Sequence, residues 1–217
     1  LSGPQELVVI GGGEHARVLL EAALSRPEAW TVLGFVDPSP CEETRDRLSV
    51  PRLGDDDDGL RRTGPARFAI GVGSTGPSER RRRIAARYDA AGARWATVIH
   101  ATAWVSPSAR LAEGVFVSAG ASVNSGAVVG RHAVVNTGAV VEHDVVIGEF
   151  AQVGPAAAIG GGARIGDGSY VGLGARVRDH VAVGARATVG MGAAVIVAVT
   201  DDEIVVGVPA APLRRRG

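Results

Sequence analysis

The sequence predicts a parallel β-helix over residues 99–217, preceded by a small α/β domain over residues 1–98. Three observations carry this. Every sixth residue from Ile99 to Val195 is aliphatic, seventeen positions without a break, and all but Leu111 are β-branched. Two places before each stands a small or branched residue, alanine in most cases, and the place after is often glycine, as at Gly130, Gly148 and Gly154. Ahead of the repeat, short apolar runs alternate with helical spacing. A period of six matches neither the 3.6 of a helix nor a chain of hairpins. Six residues supply one short strand and one turn, and three such units close a triangular coil of eighteen. Branched aliphatics suit the strand and point inward, while alanine and glycine fit the crowded corners.

In chain order, residues 7–11 read as a buried strand, followed by Gly11-Gly12-Gly13 and a helix running to about Ser25, before Pro27. A second strand over residues 31–37 ends on Asp37-Pro38. Residues 39–65 are polar and punctuated, and the run from Asp55 to Asp58 reads as a solvated acidic turn. A third strand over 67–73 leads to a helix over about 78–91, on which Arg80, Arg81, Arg82 and Arg83 read as the outer face. A fourth strand, residues 95–99, delivers the chain into the repeat. The Gly11-x-Gly13-x-x-Ala16 turn has the geometry to seat a phosphate on a helix N-terminus. Asp37, at the end of the second strand, is placed to accept from a ribose hydroxyl or a base. The half-sheet is too short for two mononucleotide-binding halves, so a single nucleotide fits better than a nicotinamide dinucleotide.

Composition excludes several chemistries. Formal net charge is zero, so no nucleic-acid partner is expected. All 23 basic residues are arginine, which removes Schiff-base chemistry and a P-loop lysine together. Cys41 is the single cysteine, excluding an intramolecular disulfide framework and a cysteine-based zinc cluster. There is no signal-like segment and no uncharged apolar run of ~18 residues, so a cytoplasmic protein without membrane insertion is expected.

Five histidines are available for chemistry. His100 reads as structural. His132 and His180 hold the fourth place of a hexad, on the outer surface, where solvation is expected. His143 differs, because Glu142-His143-Asp144 is the most charged triplet in a stretch of valine, alanine and glycine. An imidazole titrates near neutral pH, and an adjoining carboxylate raises its basicity and fixes its tautomer. A metal site from these three is poor, since consecutive residues cannot all face one ion. Residues eighteen apart stack, so Asp179 lies two coils from His143 and His180 shares that face, making it the second candidate base.

The repeat resembles the hexapeptide-repeat acyltransferase superfamily, whose members form a left-handed β-helix; the handedness follows from the resemblance alone. More narrowly, Ile10-Gly-Gly-Gly-Glu-His-Ala-Arg-Val18, Phe35-Val-Asp37, Ala69-Ile-Gly-Val-Gly73 and the prism resemble the nucleotide-sugar acetyltransferases of bacterial glycan pathways. That group includes N-acetyltransferases of UDP-, GDP- or TDP-linked 4-amino-sugars and the related sialic acid O-acetyltransferases. The resemblance implies a Rossmann-like first domain holding the nucleotide-sugar at Gly13, Glu14, His15, Asp37, Pro38 and Gly73. Glu14 departs from the small residue usual at its place, and its carboxylate would repel a diphosphate unless it turns away. The segment from Asn136-Thr137 through Val141-Glu-His-Asp to Ile147-Gly matches the catalytic stretch, which puts the general base at His143 and its partner at Asp144, with Glu142 the alternative.

Acetyl-CoA is then expected in a groove between two prisms, against Gln152, Gly161, Leu173 and Met191, with Gln152 standing where relatives often have histidine. The tail from Val205 to Ala210 resembles the segment that closes these prisms. Arg214, Arg215 and Arg216 read as a solvated terminus, contact with the CoA 3′-phosphate being the alternative. A homotrimer, no metal, and direct transfer to the amino-sugar are implied. Two other readings stay open: sialic acid O-acetylation, and a non-catalytic scaffold that binds a sugar nucleotide.

Overall fold

The computed structural model describes residues 3–39, 42–77 and 79–213. Cys41 and the three arginines at 214–216 lie outside the described residues. The chain forms two compact units, Leu1–Ser74 with Glu79–Ala101, and Thr75–Ser78 with Thr102–Gly217.

The first unit runs β1 (Gln5–Ile10), α1 (Glu14–Leu24), β2 (Trp30–Val36), α2 (Glu42–Leu48), α3 (Asp56–Leu60), β3 (Arg67–Ile70), α4 (Glu79–Ala90), β4 (Arg94–Trp95) and β5 (Val98–Ile99). Its sheet is parallel in the order β2-β1-β3-β4. Leu7, Val8, Val9 and Ile10 are all buried, as in a strand covered on both faces. One cover is α1, which buries Ala16, Leu19, Leu20 and Ala23. Strand order reverses between β1 and β3, so the loops leaving those two strands diverge and open a crevice.

Two expectations are corrected in this unit. The acidic run is the start of a helix: Asp55 caps α3 by accepting from the Asp57 and Asp58 amides, while Asp58 accepts from the Asp55 amide. Carboxylates belong there because they meet the unpaired N–H groups and positive end of the helix. The strand expected at 95–99 is two short strands, β4 and β5, parted at Ala96 and Thr97.

The second unit is a left-handed parallel β-helix. Two-residue strands recur every six residues from β6 (Trp104–Val105) to β21 (Ala194–Val195), followed by β22 (Ile204–Val206) and β23 (Ala211–Pro212). Val128 pairs with Val146 and Val146 with Arg164, so one coil is eighteen residues. Inward aliphatics such as Val129, Val135, Val141 and Ile159 are fully buried. From Leu111 to Val189 the residue three places after each aliphatic turns the corner with a left-handed backbone: φ is +57° at His132, +60° at Asp144 and +59° at His180. The glycine directly after the aliphatic answers to a different demand. A Cβ at Gly172 would stand 2.7 Å from both the Met191 nitrogen and the Val189 oxygen of the next coil.

Candidate active site

The crevice of the α/β unit is a cleft of about 190 Å³ lined by Gly11, Gly13, His15, Asp37, Gly71, Val72, Gly73 and Arg80. Gly13 lines the cleft, is the N-cap of α1 and supplies no side-chain cap, which suits a helix N-terminus to an anion. Asp37 shapes the glycine loop: its Oδ2 accepts from the Gly12 amide at 2.7 Å and its Oδ1 from the Ser39 amide at 2.8 Å. Arg52 in turn donates through Nε and Nη2 to the Asp37 carbonyl at 3.0 and 2.7 Å. Thr44 Oγ1 donates to the Gly12 carbonyl, fixing the loop from α2.

Arg81 corrects the reading of residues 80–83 as a solvated face. It is 1% exposed, and its Nη1 donates to the carbonyls of Val72 at 2.9 Å and Ile70 at 3.4 Å, beneath the end of β3. Strand-end carbonyls need donors, and a long guanidinium reaches them from α4. Burial lowers it to about 10, so it stays charged at neutral pH. Burial, and secondarily the charge of Arg81, push His15 down to about 4, which leaves a neutral imidazole in the cleft. Of the expected nucleotide residues, Gly13, His15, Asp37 and Gly73 come together, whereas Glu14 and Pro38 are exposed and outside the lining. Sequence reasoning missed Arg80, Gly71 and Val72; the clue was a helix start following a second glycine-bearing strand end.

On the solenoid, Glu142, His143 and Asp144 form the corner between β12 (Val140–Val141) and β13 (Val146–Ile147). His143 Nδ1 and Asp144 Oδ2 are 3.0 Å apart, and both side chains are open to solvent at 60% and 74%. Glu142 instead accepts from the His143 backbone amide at 3.3 Å, so Asp144 is the carboxylate on the ring. The Asp144 hydrogen bond raises the imidazole above its ordinary value, and the charges of Asp144, Glu142 and Asp179 add to this against a partial loss of hydration. With Nδ1 engaged, Nε2 is the nitrogen left for proton transfer.

His180, at the same corner one coil past Gly161, is exposed, and its amide donates to the Gly161 carbonyl at 2.9 Å. His132 is not solvated as expected but fully buried, with its ring 4.9 Å from that of Phe150. Its ring occupies space left by Gly114, eighteen residues earlier. Gly161 sits one coil on from His143, while Leu173 and Met191 lie at a different corner, after β17 (Tyr170–Val171) and β20 (Thr188–Val189). Those two are one coil apart and 54% and 80% exposed, an apolar ridge open to a ligand. Gln152 is buried within β14 (Gln152–Val153), between Val134 and Tyr170. A single chain therefore does not gather the four expected acetyl-CoA residues at one edge. Among the described residues, no group of three or more His, Cys, Asp or Glu is placed to hold a metal, and no helix is long and apolar enough to cross a membrane.

Residues 6–88 match the family described as the PglD N-terminal domain. The chain is also similar to a histidine-to-asparagine variant of perosamine N-acetyltransferase from Caulobacter crescentus, solved with CoA and GDP-perosamine. Identity is 35% over 99% of this chain and 100% of that one, with a TM-score of 0.86. The chain belongs to the hexapeptide-repeat family of nucleotide-amino-sugar N-acetyltransferases. A second solved member is the acetyltransferase domain of PglB from Neisseria gonorrhoeae in complex with acetyl coenzyme A, 32% identical over 97% of this chain and 100% of that one, TM-score 0.87. No curated protein matches the sequence.

Proposed function

We propose that this protein transfers acetyl from acetyl-CoA to the amino group of a nucleotide-linked 4-amino-sugar, with His143 as general base. The observation that carries the reading is the His143–Asp144 pair, set on an otherwise apolar solenoid, in a chain similar from end to end to a GDP-perosamine N-acetyltransferase. Acetyl-CoA supplies an activated thioester carbonyl. Asp144 accepts the Nδ1 hydrogen and so keeps Nε2 bare. His143 takes the proton from the sugar nitrogen as the N–C bond forms, then returns it to sulfur as the C–S bond breaks, so CoA leaves as the thiol. The chain holds no lysine for an acyl-enzyme, which favours direct transfer.

Gly13, His15, Asp37 and Gly73, joined by Arg80, hold the nucleotide-sugar, with backbone N–H groups and the guanidinium facing its phosphates. Glu14 and Pro38 stand beside this cleft, and the exposed Glu14 carboxylate is free to turn from a diphosphate. Leu173 and Met191 form an apolar rail for the coenzyme, with Gln152 and Gly161 as further contacts. His143 and this rail occupy different corners, so a groove holding both arises where two solenoids lie side by side. Three solenoids so arranged close a ring, hence a homotrimer. Acetyl-CoA and nucleotide sugars are cytoplasmic metabolites, so the reaction belongs to the cytoplasm.

The test is thiol release from acetyl-CoA with UDP-, GDP- and TDP-linked 4-amino-sugars and with free sialic acid. Release with an amino-sugar nucleotide supports the proposal. Release with sialic acid alone, or with none of the acceptors, sinks it.

A further inference from the structure

Gly160, Gly161 and Gly162 make one of two runs of three glycines in the chain. Each lies under a polar side chain of an adjoining coil: Asp179 over Gly160, His143 over Gly161 and His180 over Gly162. The first and third have a second reason to be glycine. A Cβ at Gly160 would also stand 2.6 Å from the Asp179 backbone nitrogen, and Gly162 turns its corner at φ +66°. Gly161 is outside the left-handed residues, and the three nearest atoms its Cβ would meet all belong to one imidazole: Nε2 of His143 at 2.5 Å, Cε1 at 2.7 Å and Cδ2 at 3.2 Å. The Gly162 amide donates to the His143 carbonyl at 2.9 Å, which registers the run against that ring.

We infer that Gly161 is a positioning residue for His143: its missing side chain is the seat on which the Nε2 edge of the imidazole rests. The inference rests on the general-base reading and gives Gly161 a role toward the base beside its contact with the coenzyme. A methyl group at 161 occupies the seat, so the ring must swing away. That swing breaks the Nδ1–Asp144 contact and misplaces Nε2, and a displacement of about 1 Å in a reacting group costs on the order of 10²-fold in rate.

The experiment compares Gly161→Ala, His143→Ala and the double variant. It reads kcat, KM for acetyl-CoA, the pH profile of kcat and thermal melting. Gly161→Ala is expected to lower kcat at least about 10-fold, by more than it changes KM for acetyl-CoA, and to move the pH midpoint down toward that of an ordinary histidine. In the His143→Ala background the same change is expected to do nothing further to the residual rate, and the double variant should melt above Gly161→Ala because the clash is gone. A raised KM with kcat kept, an equal fold-loss in both backgrounds, or a double variant no more stable than Gly161→Ala each overturns the inference. A dead His143→Ala beside an unimpaired Gly161→Ala overturns the inference alone. Full turnover by His143→Ala overturns the general-base reading and the inference with it.

Discussion

Nδ1 of His143 stands 3.0 Å from Oδ2 of Asp144, and Asp144 reaches it from a left-handed backbone at φ +60°. Aspartate enters that region more readily than most side chains, so position 144 serves the turn and the imidazole at once. Because the bond favours the imidazolium, wild-type kcat should rise with pH through a midpoint above 6.5, the neutral base being the active form. His143→Ala should lose about 10²–10⁴-fold in kcat. Asp144→Asn should lose less and shift the midpoint down. A thiol-release profile from about pH 5 to pH 9 reads both effects, since it spans the histidine range; an unshifted midpoint in Asp144→Asn would rule out the tuning role.

His15 makes the fold sensitive to acid. Its folded value of about 4 lies below the ordinary 6.5 of the unfolded chain, so the unfolded state binds the extra proton between them. The contribution is fully present above 6.5 and disappears as pH falls toward 4; it is on the order of 3 kcal/mol. Thermal melts should therefore fall across that window, and His15→Asn should fall less steeply. Parallel curves for the two proteins would contradict the buried neutral imidazole.

Asp37→Ala should weaken nucleotide-sugar binding while leaving acetyl-CoA affinity unchanged. The carboxylate holds the Gly12 and Ser39 amides, and losing an acceptor for a part-buried N–H costs about 1–3 kcal/mol. Calorimetry should show at least about a tenfold loss for the nucleotide-sugar. Equal losses for both ligands would mean that the substitution acts through unfolding.

Glycines of the solenoid should separate into two kinds. At Gly172 a Cβ meets backbone of the next coil, which cannot retreat without opening the stack, so Gly172→Ala should cost about 3 kcal/mol or more. At Gly174, where φ is +66° and nothing lies within 4 Å, Gly174→Asn should cost only about 1 kcal/mol. Denaturant unfolding decides; equal costs would contradict the stacking account.

The solenoid was legible because each inward aliphatic meets the same surroundings every coil, so one rule is repeated from Val105 to Val195. His143 was legible because its charged neighbours break an apolar background. Other residues were hidden by their partners being remote in sequence. Nothing among Arg80, Arg81, Arg82 and Arg83 distinguishes the one that turns inward; the carbonyls of Ile70 and Val72 select Arg81. The burial of His132 depends on the empty place at Gly114, a signal readable only once the eighteen-residue coil is used as a ruler. The acidic run at residues 55–58 misled because a capping box and a solvated turn draw on the same residues.

The pairing of Val128 with Val146 and Val146 with Arg164 also makes the chain a ratchet for its own chemistry. Inserting one whole coil ahead of His143 slides the histidine and its aspartate about 4.8 Å along the axis and leaves them on the same edge. Inserting six residues instead rotates the pair a third of the way round, onto another corner, with every inward aliphatic still buried. The coil therefore stays packed through length changes that carry the histidine to another edge, and only insertions in steps of eighteen preserve its bearing.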